Sequence, residues 1–136
     1  MPATYEIDKE RRLVISSATG PFLMADGLGH QERLRKDPDF DPTYSQLMDF
    51  TAVTEFKIGV DEVQALAQRG LFSAASRRAI VVPNDLGYGL ARMFEMFREN
   101  AGEFGIRVFR DRAEAVEWVL SKRTATGPGT GAMAGG

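Results

Sequence analysis

The chain has 136 residues, with 17 lysines and arginines against 19 aspartates and glutamates, for a formal net charge of -2. That length fits one domain burying roughly two thirds of its unfolded surface, and the near balance of charge leaves no basic face of the kind nucleic acid requires. Cysteine is absent, which excludes disulfides, thiolate metal sites and thiol catalysis; a cytoplasmic protein of bacterial type fits.

Met1-Pro2-Ala3-Thr4 leads straight into an alternating segment, without the basic and apolar regions of a signal peptide. No apolar run approaches the ~20 residues that span a bilayer, so no integral membrane segment is expected. Tyr5 and Ile7 alternate with polar neighbours, Lys9-Glu10-Arg11 form a turn, and Leu13-Val14-Ile15 begin a second strand that ends near Gly20. Pro21 suits the first turn of a helix. Leu23, Met24, Gly27, Leu28, Gln31 and Leu34 then share one helical side, and the helix stops before Asp37-Pro38. Gly27 and Gly29 each weaken it by up to ~1 kcal/mol relative to Ala, which close helix–sheet packing explains.

The next strand is expected over Tyr44 to Phe50, with Thr51 finishing it and Thr54 in the turn beyond. Asp61-Glu62-Val63-Gln64 reads as a capping box with Asp61 as N-cap. Val63, Leu66, Ala67 and Gly70 supply the buried stripe, and Gly70 ends the helix.

From Arg78 to Leu120 the chain reads strand, capped helix, strand, capped helix, opened by Asn84-Asp85 and by Asp111. Such alternation implies parallel strands with helices laid across the sheet. The helix from Asp85 to Ala101 carries a broad apolar arc of roughly 160°, including Leu86, Gly89, Leu90, Met93, Phe94, Met96 and Phe97. It suits a helix wedged between sheet and neighbouring helix, a homodimer contact, or an apolar pocket lined by the flexible Met93 and Met96. Tyr88 falls on the opposite, polar face beside Arg92, Glu95 and Glu99, and the pairs Arg11-Arg12 and Arg77-Arg78 read as solvated strand edges. Residues 122–136 are rich in Gly, Ala and Thr and are expected to be a disordered tail, leaving a domain over 3–121.

Taken together, the elements run strand, strand, helix, then three strand–helix pairs. With the segments LMDFTAV (Leu47 to Val53), RAIVVPNDLGYGLARMFEMF (Arg78 to Phe97) and FRDRAEAVEWVL (Phe109 to Leu120), this order resembles the STAS-like, or SpoIIAA-like, family over most of residues 4–120. The resemblance implies an α/β fold with a mixed, mostly parallel sheet, an N-terminal β-hairpin and about four helices. It also implies non-enzymatic work: protein–protein regulation, or the apolar and lipid-like ligands suggested for some relatives. Regulatory members carry an Asp-Ser-Ser-Gly motif whose serine is phosphorylated. Here Lys57-Ile58-Gly59-Val60 stand at that place, and Ile58 has no hydroxyl to modify.

Catalytic signatures are lacking. His30 is the sole histidine, and no motif supplies it with a serine or aspartate partner. The acidic run Asp37-Pro38-Asp39-Phe40-Asp41 lacks the glycine and distal glutamate of a calcium loop. Asp61, Asp85 and Asp111 place carboxylates at the later helix starts, where a bound phosphate would need bare amides. The sequence therefore reads as a non-catalytic binding or regulatory module without a cofactor. Its expected partner surface is the loop containing Thr54, Phe56, Lys57 and Ile58. The alternative is a carrier or sensor of an apolar small molecule or lipid, held by Phe22, Met24, Met93, Met96 and Phe97.

Overall fold

The computed structural model describes residues 3–121; the expected tail lies outside the described residues. The opening hairpin forms as the alternation predicts, with β1 (Ala3–Asp8) antiparallel to β2 (Leu13–Leu23). Asp8 accepts the backbone N–H of Arg11 at 3.1 Å, and Arg12 takes the left-handed conformation, φ +54°, that completes the turn.

β2 does not stop at Gly20. It runs on to Leu23, so Pro21 belongs to a strand, where it pairs with Glu55 rather than opening a helix. Gly20, at φ +67°, and a register shift beside it make room for the proline. Beyond Ala18 this side of β2 has no partner among the described residues, and an edge with an irregular register is where a strand tolerates a missing N–H. Helix α1 (Met24–Lys36) follows directly, the N–H of Leu23 donating to Asp26 Oδ2 at 2.8 Å.

The second correction is larger. β3 runs from Ser45 to Lys57, so the expected loop at Thr54, Phe56 and Lys57 is strand paired in parallel with the end of β2. Two strands of β-branched and aromatic residues lengthen each other, which a single-segment reading cannot weigh. Helix α2 (Val60–Ala67) then starts two residues earlier than the capping pattern suggests. Its N-cap is Gly59, whose N–H donates to Glu62 Oε1 at 2.9 Å, and the helix ends before Gly70.

The remaining elements follow the expected order: β4 (Arg78–Val81), α3 (Asp85–Asn100), β5 (Ile106–Phe109) and α4 (Arg112–Leu120). Asn84 accepts the Gly87 N–H at 2.9 Å, and Asp111 accepts that of Ala113 at 3.0 Å, fixing both helix starts.

The sheet order is β1-β2-β3-β4-β5, parallel from β2 onward. Three successive crossovers that step in one direction across the sheet place α1, α2 and α3 on the same face, as the rule of uniform crossover handedness requires. Side chains alternate accordingly. Val14, Met48 and Ile80 belong to the clusters under these helices, while Leu13, Leu47, Ala79 and Val81 meet Ala115 and Val119 of α4 on the other face. Beyond Asp49, β3 has left β4 behind, and the ends of β2 and β3 project as a two-stranded ribbon.

Candidate functional site

The ribbon and the three helices border a half-open cavity of about 120 Å³. Its sheet wall is Gln46, Met48 and Phe50, successive same-face positions of β3, together with Ile80 of β4. The ribbon adds Phe22 and Phe56, which are direct register partners. Phe22 meets Phe50 edge to face at 5.1 Å between ring centroids, and Phe50 meets Phe56 at 5.8 Å, a continuous aromatic wall. Leu66 of α2 and Leu90, Ala91 and Phe94 of α3 close it from above. Two glycines permit the close approach. A Cβ on Gly27 would stand 3.1 Å from Leu66 of α2 and 3.5 Å from the Phe22 ring of β2, so this glycine serves close packing against both helix and sheet; one on Gly87 would stand 2.9 Å from the Phe56 ring.

At the far end lies a buried polar chain. The Nε of Arg78 donates to Gln46 Oε1 at 3.2 Å, Gln46 Nε2 donates to Ser16 Oγ at 3.1 Å, and Ser16 Oγ lies 2.8 Å from His30 Nε2. Because an arginine N–H only donates, it orients the Gln46 amide. Ser16 is fully buried, and among the hydrogen bonds of the described residues His30 Nε2 is the acceptor open to its hydroxyl proton. Nε2 of His30 is therefore the acceptor, and the imidazole is neutral with its proton on Nδ1. Burial foremost, then the positive charges of Arg33 and Arg78, push the His30 pKa down to about 4.

Arg78 continues the network. Its Nη1 donates to both carboxylate oxygens of Glu103 at 3.2 Å, and Arg98 Nε donates to Glu103 Oε1 at 2.8 Å. Glu103 is 2% exposed, and the Arg78 and Arg98 side chains are about as sheltered, at 11% and 10%. The Arg78 guanidinium lies 4.4 Å from the Phe72 ring and 5.5 Å from that of Phe94. A solvated Arg77-Arg78 edge is thus corrected. Strand alternation sends Arg78 under the helices, while Arg77, half-buried on the α4 side, donates to the Trp118 carbonyl.

The sequence-derived site residues divide. Phe22, Phe56 and Ile58 line the cavity, whereas Thr54 and Lys57 are exposed on the ribbon, Lys57 opposite Leu23. Met24, Met93, Met96 and Phe97 do not line it; Met96 is 54% exposed. The buried stripe of α3 runs through Gly87, Leu90, Ala91 and Arg98 instead. The predicted pocket face lay at one margin of the broad arc, because small Gly and Ala residues weigh little in an apolar count yet mark the closest packing. Tyr88 is likewise half-buried against the core, with Arg110 above its ring at 4.6 Å, rather than on an open polar face.

The serine partner that no motif announced for His30 is Ser16, fourteen positions earlier on another element. This pair is not arranged for nucleophilic attack: Ser16 lies mid-strand with no exposed surface and does not line the cavity. An imidazole held neutral down to about pH 4 is also a weak base. The acidic run 37–41 serves its own loop, with Asp37 Oδ1 accepting the Asp39 N–H, Asp37 Oδ2 accepting the Tyr5 hydroxyl, and Asp41 accepting the Thr43 N–H. Among the described residues no helix is long and apolar enough to cross a membrane.

The fold has a solved counterpart. An uncharacterised protein of the DUF3478 family from Shewanella loihica PV-4, whose crystal structure is described as having a SpoIIAA-like fold, superposes with a TM-score of 0.58. The match covers 86% of this chain and 93% of that one at 18% sequence identity. No family model and no curated protein matches the sequence. The chain has a SpoIIAA-like α/β fold: among the described residues, a five-stranded mixed sheet with an antiparallel N-terminal hairpin and four helices.

Proposed function

We propose that this domain is a non-catalytic receptor or carrier for a small, largely apolar molecule held between the sheet and helices α1, α2 and α3. The observation that carries the reading is the aromatic-walled cavity of about 120 Å³ bordered by the β2–β3 ribbon. Interior cavities of ~150 Å³ accept benzene, while drug-sized ligands occupy roughly 300–1,000 Å³. The space is of the smaller order and open on one side, which suits a one-ring or short branched body.

Neutral benzyl alcohol is the direct probe. It should raise the melting temperature and shift amide resonances of Phe22, Phe56 and Leu90 in wild-type protein. Ala91→Leu, which adds three carbons at the cavity wall, should weaken those shifts while the variant stays folded by circular dichroism. Resonance changes scattered over the surface, or none at millimolar benzyl alcohol, sink the reading.

A second reading, a protein-binding regulatory module, draws on the rim. Leu23, Val60 and Leu86, each at the start of a different helix, are 44%, 52% and 59% exposed, with Thr54 and Lys57 exposed on the adjoining ribbon. Lys57→Glu should abolish capture of a partner without altering benzyl alcohol binding; capture unaffected by the charge reversal speaks against that surface.

A further inference from the structure

The polar end of the cavity carries a charge that nothing in the network balances. Arg78 and Arg98 share the single carboxylate of Glu103, leaving one positive charge over. His30, Gln46 and Ser16 contribute none at pH 7, where burial keeps the imidazole neutral. A charge in so sheltered a place is costly without a counter-charge, and the Phe72 and Phe94 rings offset it only in part.

The guanidinium also has a free edge. Its Nε is taken by Gln46 and its Nη1 by Glu103, while Nη2 has no hydrogen-bond partner among the described residues. Arg78 lines the cavity, as do the Phe72 and Phe94 rings beside its guanidinium. With Nε and Nη1 engaged, Nη2 is the donor left to meet a ligand. A bare hydrocarbon would leave this donor unsatisfied.

We propose that the cavity is selective for a small monocarboxylate with an apolar body of about one ring, its carboxylate received by Nη2 of Arg78. This rests on the cavity reading above and adds the charge of the ligand. One negative charge matches the one in excess, and a carboxylate accepts guanidinium N–H groups in the plane of the fork. A dianionic phosphate would overshoot the charge balance and bring a head too large and too strongly hydrated for a space of about 120 Å³. The lowering of the Arg78 pKa by burial first, countered by Glu103 and reinforced by Arg98, agrees with a cation short of counter-charge.

The test compares benzoate with benzyl alcohol, similar in shape and different in charge, by NMR titration of the intact protein at pH 7. Benzoate should bind about tenfold more tightly or better, and should move the Arg78 Nε–H resonance where benzyl alcohol does not. In Arg78→Gln the ratio of the two affinities should fall to about one. Should that variant not fold, the wild-type ratio and the Arg78 resonance decide. Equal or weaker benzoate binding overturns the proposal, as does a preference that persists in folded Arg78→Gln; in either case binding of benzyl alcohol at the cavity leaves the broader reading standing. Failure of both probes to bind removes both.

Discussion

Acidifying the protein from pH 7 to pH 5 should destabilise it through His30 alone. The imidazole is buried, accepts a hydrogen bond at Nε2 and faces Arg33 and Arg78, so its pKa falls from 6.5 to about 4 on folding. A group whose pKa is lower in the folded state takes up protons first in the unfolded chain. Its contribution is therefore intact above about pH 6.5 and is lost as the pH falls toward 4. Linkage over this window gives a loss of about 2 kcal/mol by pH 5, approaching about 3 kcal/mol at lower pH. The carboxylates of Glu32, Asp37 and Asp41, held below their ordinary values chiefly by hydrogen bonds, keep their contributions above pH 4.5 and lose them only below it. Glu95 runs the other way. Burial raises its pKa above 4.5, so it favours the folded state as it gains its proton and offsets part of the loss at the acid end.

Urea unfolding at pH 7 and pH 5 measures the effect, which should lower the midpoint by about 1–2 M. His30→Gln should flatten the dependence between pH 7 and pH 5. As the chain has one histidine, its nitrogen resonances also report the folded-state midpoint and tautomer without assignment. A midpoint near 6.5, an Nε2–H tautomer, or equal stability at the two pH values would refute the buried chain from Arg78 to His30.

Four further outcomes follow from local geometry. A Cβ at Gly105 would lie 2.1 Å from the Ser76 carbonyl oxygen, against backbone that cannot yield cheaply, so Gly105→Ala should cost about 3 kcal/mol and lower the melting temperature by roughly 10 °C. Gly89→Ala, exposed within α3 with nothing inside 4 Å, should instead stabilise by about 0.5–1 kcal/mol. Glu103→Ala strands Arg78 and Arg98 as buried like charges and should cost about 3–5 kcal/mol by urea unfolding; a loss below 1 kcal/mol would mean that water reaches the triad. Burial and its hydrogen bond to Asp37 push the Tyr5 phenol up to about 12, so stability should fall as the pH rises from 10 toward 12. An ultraviolet titration of the tyrosines should show a late component that Tyr5→Phe removes.

Where order and handedness are local matters, the sequence alone was sufficient. Asn84 and Asp111 announce their helices because a cap acts within four residues, and the alternation of strand and helix from Arg78 onward dictates parallel pairing. Pro21, Gly20 and the Thr51–Thr54 stretch read as breaks for the same reason: local propensity penalises them. Tertiary structure overruled that reading, since β2 and β3 extend by pairing with each other across more than thirty positions, and the ribbon so formed borders the cavity. The site is non-local throughout. Ser16, His30 and Gln46 come from three elements, and Arg78 meets Glu103 from a loop 25 residues away. No periodicity encodes such partners. A buried charge is stabilised only by groups that folding brings within hydrogen-bond reach, so that choice belonged to the tertiary structure.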